Sequence, residues 1–171
     1  VNASLTGHLV LSTLHTNNAA GSFPRLLDLG VNPKVISSAL NVSIAQRLVR
    51  TLCSACKKEM PLEGKDKEIV EIILGAVTDK SYLEGMQREK VWVPVGCNEC
   101  SGLGYKGRIA VVEVILMDKE IEACVRHSSS ERDIWKAARH QEIRRMAQDG
   151  VVKVLQGVTS LDELGRVVDL H

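Results

Sequence analysis

Hydrophobic positions fall into short blocks of two periods. Leu9-Val10-Leu11-Ser12-Thr13-Leu14 follows a turn at Thr6-Gly7-His8 and is nearly continuous in apolar and β-branched residues. Such a run predicts a strand buried on both faces of a parallel sheet. A helix is predicted from about Ala19 to Leu29, with Pro24 in its first turn or bending it and Gly30 just past its end. Asn32-Pro33 predicts the N-cap and first residue of a short helix running to about Ala39. From Leu40 to Leu52 the pattern alternates well enough for a strand with Val42, Ile44 and Leu48 facing one way, although a helix competes there.

Farther along, Asp66 to about Val77 reads as a helix with Ile69, Ile72, Ile73 and Ala76 on one face. Lys90 to Val95 reads as a strand leading to Cys97, and Arg108 to Leu116 as a second buried strand. Glu113 lies inside that second strand, so it calls for an edge position or a paired partner. The remainder is helical. Asp118 opens a helix to about Arg126, and Ser130-Glu131-Arg132-Asp133 has the form of a capping box. Ile143, Met146, Ala147, Val151 and Val154 fall at helical spacing, with Gly157 as a stop. Ser160-Leu161-Asp162-Glu163 is a second capping box, leading Leu164, Val167 and Val168. Helices this short must pack on something else to be stable. There is no internal repeat or low-complexity linker.

Length and composition narrow the class. A chain of 171 residues holds one ordinary domain or two small ones. With 44% hydrophobic and 25% charged residues it reads as a soluble globular protein. A net charge of +1 creates no global field for nucleic acid or membrane. Aromatic residues make up 3%, so the core must be aliphatic. No run of about 18 apolar residues and no basic-then-apolar leader occurs, so neither a membrane span nor a signal peptide is expected. Val1-Asn2-Ala3 lacks an initiator Met and enters at once into a turn and a strand-like run, as a piece of a longer protein would.

Two knuckles carry the clearest chemistry: Cys53-Ser54-Ala55-Cys56 and Cys97-Asn98-Glu99-Cys100. Each C-x-x-C turns two thiolates back onto one ion, and four thiolates at about 2.3 Å give Zn²⁺ a closed, structural shell. The alternatives are two disulfides or reduced thiols without metal. A disulfide within one C-x-x-C closes a small strained ring, and nothing in the sequence suggests secretion. Between Cys56 and Val91 eight acidic residues face seven basic ones, without the basic stripe of a phosphate-gripping zinc module.

His8 and His15 flank the first predicted strand, and His15-Thr16-Asn17-Asn18 is a polar cluster at its carboxyl end. Ligands of open α/β sheets bind in the crevice outside strand carboxyl ends. Arg25, Lys34, Arg47 and Arg50 against Asp28 alone make the first fifty residues basic, which suits an anionic ligand. The competing reading makes both histidines structural. Arg47 and Arg50 read either as phosphate- or interface-facing cations or as a salt-bridged strand face. Cys124, beside Ile121 and Val125, reads as a small core residue. His127, His140 and His171 have no partner spacing and read as surface groups.

Taken together, these residues resemble the secretion ATPases, the hexameric motors of type II secretion and type IV pilus assembly. Thr6 to Asn17 resembles the family's histidine box. Arg25-Leu26-Leu27-Asp28-Leu29-Gly30-Val31 and Ala45 to Cys53 are similar to it as well. The four cysteines with Gly104-Tyr105-Lys106-Gly107-Arg108 resemble the zinc-bearing subgroup. Met146-Ala147-Gln148-Asp149-Gly150 and Thr159 to Leu164 resemble its C-terminal helices.

The resemblance implies an α/β fold: the distal part of a RecA-like ATPase core over 1–52, a tetracysteine zinc subdomain over 53–107, and a last strand with a helical subdomain over 108–171. It implies that His15 lies near the γ-phosphate of ATP and that His8 lines the nucleotide site. Thr13, Asn17 and Arg47 would lie on the nucleotide side, and Cys53, Cys56, Cys97 and Cys100 would hold structural Zn²⁺. For the full-length protein it implies ATP and Mg²⁺, a homo-hexamer, and partners comprising an inner-membrane platform protein and other assembly subunits. The location implied is cytoplasmic, peripheral at the bacterial inner membrane.

The pattern departs from the family in what it lacks. A P-loop needs G-x-x-x-x-G-K-[ST], and no such string occurs. The acidic boxes and the Walker B strand are absent too. The chain alone is therefore expected to be inactive toward ATP. Two rival readings are a zinc-ribbon nucleic-acid module, which calls for a basic patch and interleaved aromatics, and an inactive adaptor homologue of the motor.

Overall fold

Side-chain caps set the starts of α-helices at Asn32, Asp118, Ser130 and Ser160. The computed structural model describes residues 1–128 and 130–170; the expectation for His171 lies outside the described residues. The order is α1 (Asn2–Leu5), α2 (Ser22–Asp28), α3 (Pro33–Ala39), β1 (Val42–Leu52), β2 (Lys58–Pro61), α4 (Gly64–Gly75), β3 (Lys90–Val93), β4 (Tyr105–Leu116), α5 (Lys119–His127), α6 (Glu131–Ala137), α7 (Met146–Leu155) and α8 (Leu161–Gly165). This is a mixed α/β chain in which β1 pairs with β4 and β2 pairs with β3. It divides into two compact units, one of Val1–Ala45 with Glu113–Ile143 and the other of Gln46–Val112 with Arg144–His171.

In the first unit the Asn32 side chain accepts the Lys34 N–H at 2.9 Å and Pro33 occupies the first helical position, as expected. Asp118 accepts the Ile121 N–H at 2.9 Å, and Ser130 Oγ accepts the Asp133 N–H at 3.1 Å. Each cap satisfies a helix-end donor that would otherwise lack a partner. Past α2 the Gly30 N–H reaches Leu27 O at 2.8 Å and the Val31 N–H reaches Leu26 O at 3.1 Å, a Schellman ending. The core gathers Ala19, Ala20, Phe23, Ile36, Ile115, Ile121, Val125, Ile134 and Ala138. Cys124 packs against it as a partly buried residue, in keeping with its reading as a small core side chain.

The first predicted strand is not formed. Residues 8–16 are irregular, and Leu9 and Leu11 are 87% and 89% exposed. A strand apolar on both faces is stable only between flanking strands and under cover, and among the described residues no strand pairs with it. β1 is a strand, but the face shared by Val42, Ile44 and Leu48 is the exposed one. Ser43 and Val49 fill the buried face instead. Alternation identifies a strand's two faces; packing decides which is covered.

The second unit holds β2 and β3, antiparallel with Lys58 opposite Val93 and Met60 opposite Val91. α4 forms as predicted but buries Val70, Ile73 and Leu74, leaving Ile72 73% exposed, a correction to the expected Ile69–Ile72–Ile73–Ala76 face. α4 lies against α7, and the stripe turned toward that helix differs from the expected one by part of a turn. Ser160 caps α8 by accepting the Glu163 N–H at 3.2 Å, as its capping-box pattern predicts. Asp149 of α7 is buried, accepts the Val112 N–H at 2.9 Å, and pairs with Lys153 and, at 3.9 Å, with Arg144.

Candidate metal centre

β1 ends at Leu52 and delivers Cys53 into a tight turn. The N–H groups of Cys56 and Lys57 both donate to the Cys53 carbonyl, at 3.3 and 3.0 Å, which brings Cys56 back beside Cys53. The second knuckle is a 3₁₀ turn over Asn98–Cys100, ended by Ser101 in the left-handed region at φ 52°. Two glycines make this turn possible. Gly96 has φ 105°, and a Cβ there would lie 2.5 Å from Gly102 O; one on Gly104, at φ 75°, would lie 2.5 Å from Pro94 Cβ.

The turns bring four sulfurs together. Sγ separations are 3.9 Å for Cys53–Cys97, 3.8 Å for Cys56–Cys100 and 3.7 Å for Cys97–Cys100. All four sulfurs lie within 4.8 Å of one another. A tetrahedron of thiolates at about 2.3 Å from zinc has edges of about 3.8 Å, so the cluster has the size the ion needs. The five cysteines are free thiols, which excludes the disulfide alternative in this structure.

Backbone donors aim at the sulfurs: Gly96 N–H at Cys56 (3.3 Å), Cys97 N–H at Cys100 (3.2 Å) and Gly104 N–H at Cys100 (3.1 Å). Cys100 is buried, which opposes ionisation, yet the Cys97 and Gly104 amides and the neighbouring thiols bring its pKa down to about 6. Burial pushes Cys56 up to about 11, with its neighbours' thiols adding to the rise against the Gly96 amide. Amides aimed at Cys56 and Cys100 favour the thiolate, the form in which a cysteine sulfur binds a cation.

The remaining candidates are scattered. His8, Thr13, His15 and Asn17 are exposed and Arg47 is half-buried. His8 Nδ1 lies 3.1 Å from Thr6 Oγ1. Among the described residues no hydrogen bond or ion pair joins these five side chains to one another. Arg50 is a salt-bridged strand residue, paired with Glu163 of α8.

Glu113 finds its expected partner in the backbone: one carboxylate oxygen accepts the Ala19 N–H at 2.7 Å, while Ser43 Oγ donates to the Ala19 carbonyl at 2.9 Å. The turn that follows the histidine segment is thus held by side chains from β4 and β1. Sequence spacing gave no signal for Ser43, and for Glu163 it gave a capping-box position but not the pairing with Arg50.

His140 is a surface group, as expected, but it has partners that spacing did not show. Its Nε2 lies 2.8 Å from Asp118 and 3.6 Å from Glu120, and its Nδ1–H donates to Ala137 O at 2.8 Å. The chain returns from α6 to the start of α5, a proximity that spacing cannot express. At 2.8 Å the ring nitrogen is engaged in a direct hydrogen bond with Asp118, which becomes an ion pair when the imidazole is protonated.

The Type II/IV secretion system protein family matches residues 1–166. The chain belongs to this family. It is 41% identical over 169 residues to a type II secretion system protein E of Aeromonas hydrophila, covering 98% of this chain and 31% of that protein. It is 38% identical over 168 residues to a type IV pilus assembly ATPase of Thermus thermophilus, covering 98% and 18%. A type IV pilus assembly ATPase of Acinetobacter baylyi is 41% identical over 170 residues, covering 99% and 28%. The chain therefore spans less than a third of the length of these relatives. No helix among the described residues is long and apolar enough to cross a membrane.

Proposed function

We propose that this chain is the distal part of the RecA-like core of a motor ATPase, followed by a zinc subdomain and a helical subdomain, divided at 1–52, 53–107 and 108–171. The family match across residues 1–166, which takes in the histidine segment and both knuckles, carries this reading. The parent protein works as a homo-hexamer, hydrolyses MgATP as substrate, and drives type IV pilus assembly or type II secretion. It does so through an inner-membrane platform protein, from the cytoplasmic face.

Cys53, Cys56, Cys97 and Cys100 hold Zn²⁺ in a structural role. Bound there, the ion supplies four strong bonds that lock both knuckles, and a shell filled by thiolates leaves no position for substrate. His15 acts near the γ-phosphate and His8 lines the same site, with Thr13, Asn17 and Arg47 contributing hydrogen bonds or charge. Phosphoryl transfer depends on positioned donors, which suits an imidazole at a strand end. The exposed Leu9–Leu14 run completes a strand once the rest of the core flanks it. Lacking a P-loop, the chain alone does not turn over ATP.

ATP turnover and thermal melting on one hexameric preparation of the parent protein test this. His15→Ala should lower kcat and kcat/KM together by roughly 10²–10³ while nucleotide affinity changes little. A variant that melts earlier yet turns over at the normal rate makes His15 structural. Turnover by the isolated chain places the machinery wrongly.

A further inference from the structure

The turn joining α7 to α8, residues 156–160, lies among groups that flank the cysteines. Lys57, next to Cys56, donates Nζ to the Gly157 carbonyl at 2.7 Å. Its ammonium also lies 5.6 Å from the centre of the Trp92 ring. Gly157 has φ 67°, and a Cβ there would lie 2.7 Å from Trp92 Cδ2, so the turn is seated directly on that indole. The Leu52 N–H, one residue before Cys53, donates to Val158 O at 2.8 Å. Thr159 Oγ1 donates to the Arg50 carbonyl at 2.8 Å. Tyr105, next to the Gly104 whose amide donates to Cys100, places its hydroxyl 2.7 Å from Ser160 Oγ.

These groups share a dependence. Lys57 is placed by the first knuckle, because its N–H is bonded to the Cys53 carbonyl at 3.0 Å. Residues 104 and 105 are placed by the second, because the Cys53 N–H donates to Gly104 O at 2.9 Å while the Gly104 N–H donates to Cys100. On the metal reading, an ion held by all four sulfurs would tie the two knuckles to each other. Lys57 also brings a positive charge to the C-terminal end of α7, where the helix dipole favours it.

We infer that the four-cysteine centre controls the α7–α8 turn: with metal bound, Lys57 and the strand residues beside the cysteines hold Gly157–Ser160, and without metal that turn is released. The inference rests on the metal reading of the cysteines and goes beyond it, because it makes a segment a hundred residues away in sequence metal-responsive. Release of the turn frees α8 and with it the Glu163 carboxylate that grips Arg50.

The test is amide hydrogen exchange on the purified chain, with metal content measured on the same sample, before and after removing zinc with a chelator. Exchange at Leu52 and Val158 should rise by about tenfold or more together with the knuckle amides, while α5 stays nearly unchanged. Absence of metal from protein prepared without chelator overturns the metal reading and this inference together. One zinc per chain with exchange rising only at 53–57 and 96–104 overturns the inference alone.

If the metal-free second unit unfolds as a whole, Lys57→Met on metal-loaded protein decides. It keeps the stem over Trp92 and removes the bond to Gly157. Faster exchange at Val158 with zinc stoichiometry intact supports the latch, and unchanged exchange overturns it.

Discussion

Glu163 of α8 accepts the backbone N–H of Arg50 at 3.1 Å on one carboxylate oxygen and the Arg50 guanidinium on the other. The carboxylate is buried with 7% of its side chain exposed, whereas the guanidinium side chain is 37% exposed and stacks over the Tyr105 ring at 4.3 Å. The two partners are therefore unequal in what their removal leaves behind.

Arg50→Ala leaves the buried Glu163 carboxylate with only the residue-50 N–H and, at 4.0 Å, Arg166, and should be the more destabilising of the two changes. Glu163→Gln leaves a cation that water can reach and should cost less. The hydrogen bond from Arg50 holds the Glu163 carboxyl below its ordinary value against the opposing effect of burial. A depressed carboxyl stabilises the fold above its unfolded pKa of about 4.3, and that contribution is lost as pH falls through the folded value. Urea unfolding of both variants at pH 7 should rank Arg50→Ala as the more damaging; the reverse order would contradict the assigned burial.

Cys97→Ser removes one of four ligands. Metal content should fall from about one zinc per chain toward zero, and stability by several kcal/mol, because binding and folding are coupled at structural sites. Cys124→Ser, at a thiol outside the cluster, should leave the stoichiometry unchanged. Elemental analysis on the two variants checks both statements.

The Asp118–His140 pair makes stability depend on pH in a bounded window. Burial opposes the shift of Asp118, but the Ile121 amide, Gln141 and His140 hold it below the usual carboxylate value. Burial likewise opposes the rise of His140, which the Ala137 carbonyl, Asp118 and Glu120 nonetheless produce. The carboxylate's contribution is present above about pH 4 and lost as pH falls through its depressed value; the imidazolium's is present below about pH 6.5 and lost as pH rises through its raised value. His140→Gln should therefore lower the melting temperature more at pH 5.5 than at pH 8.5. Equal losses at both would remove the ion pair from the account.

Glu113→Leu leaves the buried Ala19 N–H without its acceptor and should cost about 1–3 kcal/mol, whereas Glu113→Gln retains a carbonyl oxygen there and should cost less. Thermal melting of the two variants checks the ordering.

Sequence alone determined the features that arise within a few residues of chain. Asn32, Asp118, Ser130 and Ser160 cap the helices that their spacing predicts, because a cap is a contact between a side chain and an amide two or three positions on. The cysteine knuckles were legible for the same reason, each being one turn. Tertiary structure decided what hydrophobicity cannot state: which face is covered, and by what. It turned Val42, Ile44 and Leu48 outward, rotated the buried stripe of α4 to Val70, Ile73 and Leu74, and left Leu9 and Leu11 exposed. It also supplied partners from far along the chain to Glu113, His140 and Glu163, and set the two knuckles sulfur to sulfur. Periodicity records that a side chain prefers burial or a charge prefers a partner; only the path of the chain through space determines which neighbour satisfies it.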